Sequence, residues 1–600
     1  MGMSSKNNVK WLWASALVVA CNGGGGESES ESGTTTSATA TTTSTGGTST
    51  TGGSESESGS STGGAMGSCS PDAPVDLEVS GEITQDTTWS GTVRVTANID
   101  VYDGAVLTIL PGTAVVFAVD TDLEIGWNGQ AATIRAEGTA QAPIVLCGAN
   151  PQPGGWRGVS VRPNATSDSV LEYVRIRHAG GGGEAALVME RGIKVNDLTI
   201  EGSGDDGIEA KDFVAGSAKL TVTGSAGVPA ALTSAGAVTR FPLGGGLTDN
   251  GEDVIDLRFD QIVDDTTFHL ASVPYRQTRN VDVYEGAVVV FEAGIEYRFA
   301  VDTDLEFGWN GQAATILVEG MEGAPVVFMG DISQHGFWRG IALRDKVTTN
   351  SRISHAAIRD GGGGDVPTLS IESAMTLEYV ELEANQTGVF VDKQGLSPTS
   401  SFLKVGGTQG RPMVIDPKAW TTVPVGGSYG GNEDDRIEVK GNSLNGVKGT
   451  IPAVGVPYYV TTSIDVYEDA SLTFEAGVEV EMGPDTDIEF GWNSQACEVI
   501  AVGTAQSPIK FRGVDPVAGW WRGIVVGKNV LSSSKLVHVE VLHAGQNGGA
   551  DLEVRRPLMV TDSHFGLSAG YGILREMSDP TDYVTPNTFA DNTLGDVGTL

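Results

Sequence analysis

The chain has 600 residues, with 76 acidic against 37 basic side chains and a formal net charge of −39. Such a charge repels phosphate, which argues against nucleic acid as a partner. Four cysteines in so long a chain exclude a disulfide-stapled scaffold. The 83 glycines are nearly twice the usual ~7% share.

Residues 1–20 have the composition of an export signal. Lys6 and Lys10 supply positive charge, and the apolar run from Trp11 to Ala20 is too short to span the ~30 Å hydrocarbon core of a bilayer. The run ends in Val-Val-Ala-Cys, which resembles the lipobox of bacterial lipoproteins. The resemblance implies that Cys21 becomes an acylated N-terminus held at a bilayer. An ordinary secretory signal with an incidental cysteine is the alternative.

Residues 21–75 are predicted to be a disordered tether. From 22 to 67 the chain is almost entirely Gly, Ser, Thr, Ala and Glu. Such a segment has no apolar surface with which to offset the entropy of ordering. As a flexible coil it would hold the folded body roughly 35–40 Å from the lipid.

Three long segments repeat along the rest of the chain. The first two copies read AVDTDLEIGWNGQAATI and AVDTDLEFGWNGQAATI, the third reads PDTDIEFGWNSQACEVI, and they begin at Ala118, Ala300 and Pro484. Trp-Arg-Gly recurs at the same offsets of 182 and 183 residues, at Trp156, Trp338 and Trp521. We therefore predict three units of about 180 residues, over 76–255, 256–440 and 441–600.

Short alternating apolar runs fill each unit. Leu107–Ile109, Leu123–Ile125, Val159–Val161 and Tyr173–Ile176 are each bounded by turn-forming residues. They predict strands of three to six residues, and no stretch has the 3.6-residue period of a helix. Inward-facing Leu, Ile and Val with polar residues facing outward suit a solenoid with rungs about 4.8 Å apart.

The order of these segments resembles a known family. The pieces Gly104–Gly112, Gly138–Ile144, Trp156–Val159 and Leu171–Ile176 are similar to segments of right-handed parallel β-helix proteins of the pectin-lyase-like superfamily, especially bacterial surface lipoproteins. The resemblance implies an all-β, right-handed parallel β-helix solenoid in three tandem units after a tether. Propeller blades and β-sandwich domains do not match the 182-residue period.

The superfamily includes polysaccharide lyases and hydrolases, which have recognisable catalytic segments. Gly204-Asp205-Asp206 is the one polygalacturonase-like segment in the sequence, and a turn explains it better than a catalytic pair. His178 and His543 occupy equivalent places, but Asp360 stands there in the second unit, which indicates a polar cap at a strand end. No catalytic residue is predicted.

An acidic trio recurs in every unit. Asp120, Asp122 and Glu124 have the spacing i, i+2 and i+4, which places them on one face if the segment is a strand. Two compensating charges are candidates: a bound Ca²⁺ ion, or the arginine of each Trp-Arg-Gly. The equivalent acids are Asp302, Asp304, Glu306, Asp485, Asp487 and Glu489, and the arginines are Arg157, Arg339 and Arg522.

Each unit also has a Gly-Trp-Asn turn. An exposed tryptophan beside an amide can stack on a sugar ring and hydrogen-bond its hydroxyls, although tryptophan is more often partly buried in packing. The candidate ligand-binding residues are Trp127, Asn128, Trp309, Asn310, Trp492 and Asn493.

Two expectations concern the remaining cysteines. Cys497 replaces Ala132 and Ala314 of the other units, which predicts a buried site. Cys69 could reach Cys147 in an oxidising compartment.

Taken together, the sequence predicts a non-enzymatic, lipid-anchored envelope protein of a Gram-negative bacterium, at the outer membrane and facing either the periplasm or the cell surface. It would act in binding or adhesion, with polysaccharide the favoured ligand and an envelope protein the other candidate partner. A lyase or hydrolase of pectin-lyase-like type, and a protein-binding scaffold, are the alternatives.

Overall fold

The computed structural model of the protein describes residues 69–70 and 72–600. The predicted signal segment, the acylation at Cys21 and most of the predicted tether lie outside the described residues. The ordered coil begins at Leu77, just after the predicted end of the tether.

Alternating side chains produce short strands. In Lys194–Glu201, for example, Val195, Leu198 and Ile200 are buried and their polar neighbours face outward. The first third of the coil contains the strands β1 (Leu77–Ile83), β2 (Thr87–Trp89), β3 (Thr92–Val101), β4 (Val106–Ile109), β5 (Ala114–Phe117), β6 (Asp122–Ile125), β7 (Thr133–Glu137), β8 (Ile144–Gly148), β9 (Gly158–Val161), β10 (Val170–Glu172), β11 (Val174–Arg177), β12 (Leu187–Met189), β13 (Lys194–Glu201), β14 (Ile208–Ala210), β15 (Ala218–Thr223), β16 (Ala230–Leu232) and β17 (Ile255–Leu257).

The same pattern continues through the second repeat. Its strands are β18 (Gln261–Ile262), β19 (Thr266–Phe268), β20 (Tyr275–Gln277), β21 (Val281–Val283), β22 (Val288–Glu292), β23 (Glu296–Phe299), β24 (Asp304–Phe307), β25 (Thr315–Glu319), β26 (Val326–Gly330), β27 (Gly340–Leu343), β28 (Arg352–Arg359), β29 (Leu369–Ile371), β30 (Thr376–Glu383), β31 (Val389–Val391), β32 (Ser401–Gly406), β33 (Met413–Ile415) and β34 (Ile437–Val439).

The last third is built in the same way. Its strands are β35 (Ser443–Asn445), β36 (Lys448–Ile451), β37 (Tyr458–Val460), β38 (Ile464–Tyr467), β39 (Ala470–Phe474), β40 (Glu479–Met482), β41 (Asp487–Phe490), β42 (Cys497–Val502), β43 (Ile509–Gly513), β44 (Gly523–Val526), β45 (Lys535–Val537), β46 (Val539–Leu542), β47 (Ala550–Val554), β48 (Met559–Thr561), β49 (His564–Gly566), β50 (Tyr571–Arg575), β51 (Thr588–Ala590) and β52 (Gly595–Thr599).

Every named strand pairing is parallel and joins strands one turn apart. Leu107 of β4 pairs with Ile134 of β7, for example, so that apolar residues stack directly above one another. About 21 turns form a three-sided coil roughly 100 Å long at the usual spacing between paired strands. The predicted all-β parallel solenoid is confirmed.

Helix is scarce in the described residues, as predicted. The α-helix is α1 (Ala235–Thr239), and the 3₁₀ segments are Trp127–Gly129, Trp309–Gly311, Gly363–Asp365, Pro417–Thr422, Trp492–Ser494 and Gln546–Gly548. None of the helices in this part of the chain is long and apolar enough to span a membrane.

The predicted strand Tyr173–Ile176 is interrupted at its start. Tyr173 has φ 48° and lies between β10 and β11. A left-handed residue turns the chain sharply, so the segment bends from one face of the coil to the next. The side chain alternation does not reveal that bend, because it continues on both sides of it.

Parallel pairing runs through both junctions between the sequence repeats. Ala230 pairs with Ile255, which pairs with Tyr275, although α1 and the glycine run Gly244–Gly246 lie in the loop between β16 and β17. Met413 likewise pairs with Ile437. The described coil is therefore continuous across the places where the sequence repeats meet.

The cysteine predictions are confirmed. Cys69 and Cys147 form a disulfide with a Cα–Cα distance of 6.2 Å, which attaches the start of the described chain to β8. Cys497 is free and buried.

Candidate functional site

The Gly-Trp-Asn turns have one geometry in all three repeats. Gly126 and Asn128 both adopt left-handed conformations, with φ 83° and 51°, and the amide of Gln130 donates to the carbonyl of Trp127 at 3.0 Å. Glycine is required at the first position, because a Cβ there would lie 2.6 Å from the backbone nitrogen of Ala165. Asparagine suits the second position, since it tolerates a left-handed backbone better than most residues. Repeats two and three reproduce these angles within a few degrees.

The tryptophans of these turns face solvent. Trp127, Trp309 and Trp492 are 40%, 39% and 38% exposed. Tyr284 lies beside Trp309, with ring centroids 5.4 Å apart and planes tilted by 48°. Tyr467 and Trp492 form the same pair at 5.3 Å and 51°. Each pair presents aromatic surface beside the amide of an asparagine.

The tryptophans of Trp-Arg-Gly have the opposite environment. Trp156, Trp338 and Trp521 are fully buried. The rings of Trp156 and Trp338 stack on Phe117 and Phe299 with centroids 3.9 Å and 3.8 Å apart. Each indole N–H donates to a backbone carbonyl, and the acceptors are Arg177, Arg359 and Leu542, at 2.8, 2.7 and 2.8 Å. These tryptophans are structural.

The acidic trio does not lie on one strand face, so that expectation is wrong. Asp120 has φ 60° and occupies a turn, in which the hydroxyl of Thr121 donates to the carbonyl of Ala118 at 2.7 Å. Only Asp122 and Glu124 belong to β6 and share a face. The same correction applies to the first acid of each later trio, since Asp302 and Asp485 both have φ 57°. Aspartate is among the few residues that accept this conformation readily.

Arginines compensate the two strand acids. The Trp-Arg-Gly arginines approach the first acid of each strand, in the pairs Arg157–Asp122 at 3.8 Å, Arg339–Asp304 at 3.5 Å and Arg522–Asp487 at 3.7 Å. Further arginines approach the second acid, in the pairs Arg162–Glu124, Arg344–Glu306 and Arg555–Glu489. Residues 69–70 and 72–600 contain no group of three or more His, Cys, Asp or Glu residues placed to hold a metal ion.

Sequence reasoning missed the acid and the tyrosine of the Asp-Val-Tyr segment that precedes each trio. Asp100 of β3 pairs with Glu124 of β6 across one turn, and Asp282 pairs with Glu306 in the same way. Tyr284 of the second repeat is the partner of the exposed tryptophan. The signal was present, because the segment repeats with the trio and its Asp and Tyr alternate with buried valines. The alternation shows that the Asp and the Tyr face the same way. Only the direction of the strand in the coil shows that they face outward.

Burial and crowding of the acids raise their pKa values. Burial, with the charge of Glu124, raises the pKa of Asp122 to about 6, while Arg157 lowers it. Burial, with Glu306 and Asp304, raises the pKa of Asp282 to about 6. Asp122 Oδ1 and Glu124 Oε2 are buried and have no hydrogen-bond partner in the described part of the chain. In the first repeat, therefore, two buried acids with arginine partners lie on the strand that directly precedes the exposed Trp127.

The polygalacturonase-like segment is structural. Asp206 is buried, its Oδ1 accepts a hydrogen bond from the amide of Val228 at 2.9 Å, and its Oδ2 lies 2.7 Å from Arg258. His178 and His543 follow the ends of β11 and β46, where burial lowers the pKa of both. Burial raises the pKa of Asp360 at the equivalent place.

Comparison with known proteins agrees with the fold. Residues 81–175 match the family model of the pectate-lyase like beta helix domain. No curated protein and no solved structure matches the chain. The described chain is thus a parallel β-helix whose first part is similar to the pectate-lyase like beta helix domain. Residues 81–175 are its pectate-lyase-like segment, and the parallel coil that they begin continues to Thr599.

Proposed function

We propose that this protein binds polysaccharide without cleaving it, through the Gly-Trp-Asn surface of each repeat. The observation that carries the proposal is the recurrence, three times, of an exposed tryptophan in an identical left-handed turn. About two fifths of each of these side chains faces solvent, whereas the Trp-Arg-Gly tryptophans are fully buried. A fold of the pectin-lyase-like type fits a polysaccharide-related role.

The chemistry of the surface favours neutral glycans. The exposed ring of each tryptophan can stack on the C–H face of a sugar, and the asparagine amide can both donate to and accept from hydroxyl groups. The strand before each tryptophan has two acids with arginine partners, and the chain as a whole carries a net charge of −39. A uronic acid polymer would be repelled by that field.

The proposed location is the envelope of a Gram-negative bacterium, with the protein held to the outer membrane by acylated Cys21. Support comes from the lipobox-like end of the first 20 residues and the tether-like composition of residues 22–67. The Cys69–Cys147 disulfide agrees with an oxidising compartment.

A binding panel tests the proposal. Full-length protein would be mixed with three neutral polymers (hydroxyethylcellulose, xyloglucan and dextran) and with polygalacturonate, and polymer-bound protein and new reducing ends would be measured in the same samples. We expect binding to a neutral polymer with no new reducing ends. The triple variant Trp127→Ala, Trp309→Ala and Trp492→Ala should lose about fivefold or more in affinity, since the contact energy of an aromatic ring is about 1 kcal/mol or more.

A matched control is available on the same coil. Tyr379 and Phe402 are 44% and 43% exposed and stack on each other at 4.4 Å, away from the Gly-Trp-Asn turns. The double variant Tyr379→Ala and Phe402→Ala removes a comparable exposed aromatic surface. Equal loss of binding in this control and in the triple tryptophan variant would contradict the proposed site.

Hydrolysis is the second candidate, favoured by one observation. A carboxyl with a pKa near 6, such as Asp122, can donate a proton near neutral pH. New reducing ends in the panel that disappear in Asp122→Asn would establish this candidate in place of simple binding.

A further inference from the structure

The sequence repeat is not a whole number of turns of the coil. Following the pairings from β6, seven steps along one face lead through β9, β12, β14, β16, β17 and β20 to β23. In sequence, however, β23 is the equivalent of β5, the strand one face before β6. The second acidic strand, β24, therefore lies on the next face, after seven and one third turns.

The second repeat makes the same advance. Seven steps from β24 lead through β27, β29, β31, β33, β34 and β37 to β40. The third acidic strand, β41, again lies one face further on. Accordingly β6, β24 and β41 belong to three different sheets, of 26, 14 and 7 strands. Each of the three faces of the coil has one copy.

The Gly-Trp-Asn turns follow these strands directly and share their rotation. At about 4.8 Å per turn, successive sites lie roughly 35 Å apart along the axis and are turned by about a third of a turn. A stiff polymer that lies along one face passes a single tryptophan. Reaching a second site would require it to wrap around the rod.

We propose that the three surfaces engage three separate glycan chains, which makes the protein a trivalent cross-linker of neutral polysaccharide. The inference rests on the proposed function for the existence of the sites, and on the rotation of the repeats for their directions. If one glycan chain cannot contact two sites at the same time, the extra sites give no gain in avidity for that chain. Three sites that face different directions can instead bind three different chains and link them.

Variants with a single remaining site test the inference. Three double variants would each retain one tryptophan, for example Trp309→Ala with Trp492→Ala, which leaves Trp127. Binding stoichiometry, affinity per site and low-shear viscosity would be measured with the neutral panel polymer that the full-length wild type binds. Because the three side chains are partly exposed, each double variant should lower the thermal unfolding midpoint by only a few degrees, and a single cooperative transition serves as the folding control.

We expect the wild type to raise polymer viscosity and each double variant to leave it unchanged. Stoichiometry should fall to about one third, while affinity per site stays within about twofold. Wild-type binding about 100-fold tighter than that of the double variants, without a rise in viscosity, would show one chain wrapping all sites and would overturn cross-linking alone. A rise in viscosity with the double variants would mean that self-association of the protein links the chains, and it would also overturn the proposed trivalent cross-linking. Absence of binding by the wild type would overturn the proposed function itself.

Discussion

Each repeat has two tryptophans 29 residues apart, and all three repeats retain both. One, in Trp-Arg-Gly, is fully buried, stacks on an aromatic ring in the first two repeats and donates its N–H to a carbonyl. The other, in Gly-Trp-Asn, has about two fifths of its surface exposed to solvent. It lies in a turn with left-handed backbone angles, which glycine and asparagine adopt readily. Recurrence between repeats therefore does not distinguish a packed tryptophan from an exposed one. Burial and hydrogen bonding separate them.

The largest effect should come from the buried member of this pair. Trp338→Ala removes a fully buried ring that stacks on Phe299 and a hydrogen bond to the carbonyl of Arg359. We expect a loss of about 3–5 kcal/mol in the free energy of unfolding, measured by denaturant titration. Trp309→Ala in the same repeat should cost less than about 1 kcal/mol, because its ring is already partly hydrated. Equal losses would remove the distinction between the two tryptophans.

Reduction of the disulfide should have the next largest effect, confined to the first repeat. Cys147 of β8 pairs with Val116 of β5, beside Phe117 and its stacking partner Trp156. Opening a link across 78 residues should cost about 2–4 kcal/mol. Hydrogen exchange with and without reductant should show loss of protection around Trp156 and none around Trp338. A Cys69→Ala, Cys147→Ala variant must then be insensitive to reductant; a further response would mean that the reductant acts elsewhere.

The acids on the strand before the exposed tryptophan should make the stability of the protein depend on pH. The folded protein holds the pKa of Asp122 at about 6, above the value of about 4 expected in the unfolded chain. Stability from this group is therefore fully present below about pH 4 and lost as the pH rises to 6. Asp122→Asn should be about 1 kcal/mol more stable than the wild type at pH 7, since Arg157 and remaining water contact offset part of the cost of burying the charge.

Unfolding of both proteins at pH 4 and pH 7 checks this expectation. The difference between them should vanish at pH 4. Asp120→Asn removes one charge from the exposed turn that precedes β6 and is the matched control. A constant advantage of Asp122→Asn at both pH values would show that packing, and not ionisation, explains it.

The sequence predicted the parallel coil, the disulfide and the buried Cys497, because alternation and repetition report directly on which side chains face inward. For the acids it left two partners open, a Ca²⁺ ion and the Trp-Arg-Gly arginines. It did not predict that Asp120 leaves the strand, since a left-handed residue keeps the i, i+2 spacing intact. Nor could it predict the rotation of the repeats. Turn length varies from 36 residues between Leu123 and Val159 to 16 between Leu77 and Val93, so the number of residues in a repeat does not give its number of turns.

The smallest effect should come from substitution of the asparagine in the exposed turn. Two substitutions there distinguish its role in the left-handed backbone from contact of its amide with a ligand. Asn310 has φ 53°, which glycine adopts freely and alanine does not. Asn310→Ala should cost about 1 kcal/mol of stability through strain, whereas Asn310→Gly should cost a few tenths of a kcal/mol at most.

Both variants lose the side chain amide. If the amide bonds a sugar hydroxyl, both should bind a neutral glycan several-fold more weakly at that site, measured in a background where Trp127 and Trp492 are alanine. Undiminished binding by Asn310→Gly would assign the asparagine to the backbone alone and leave recognition to the aromatic rings.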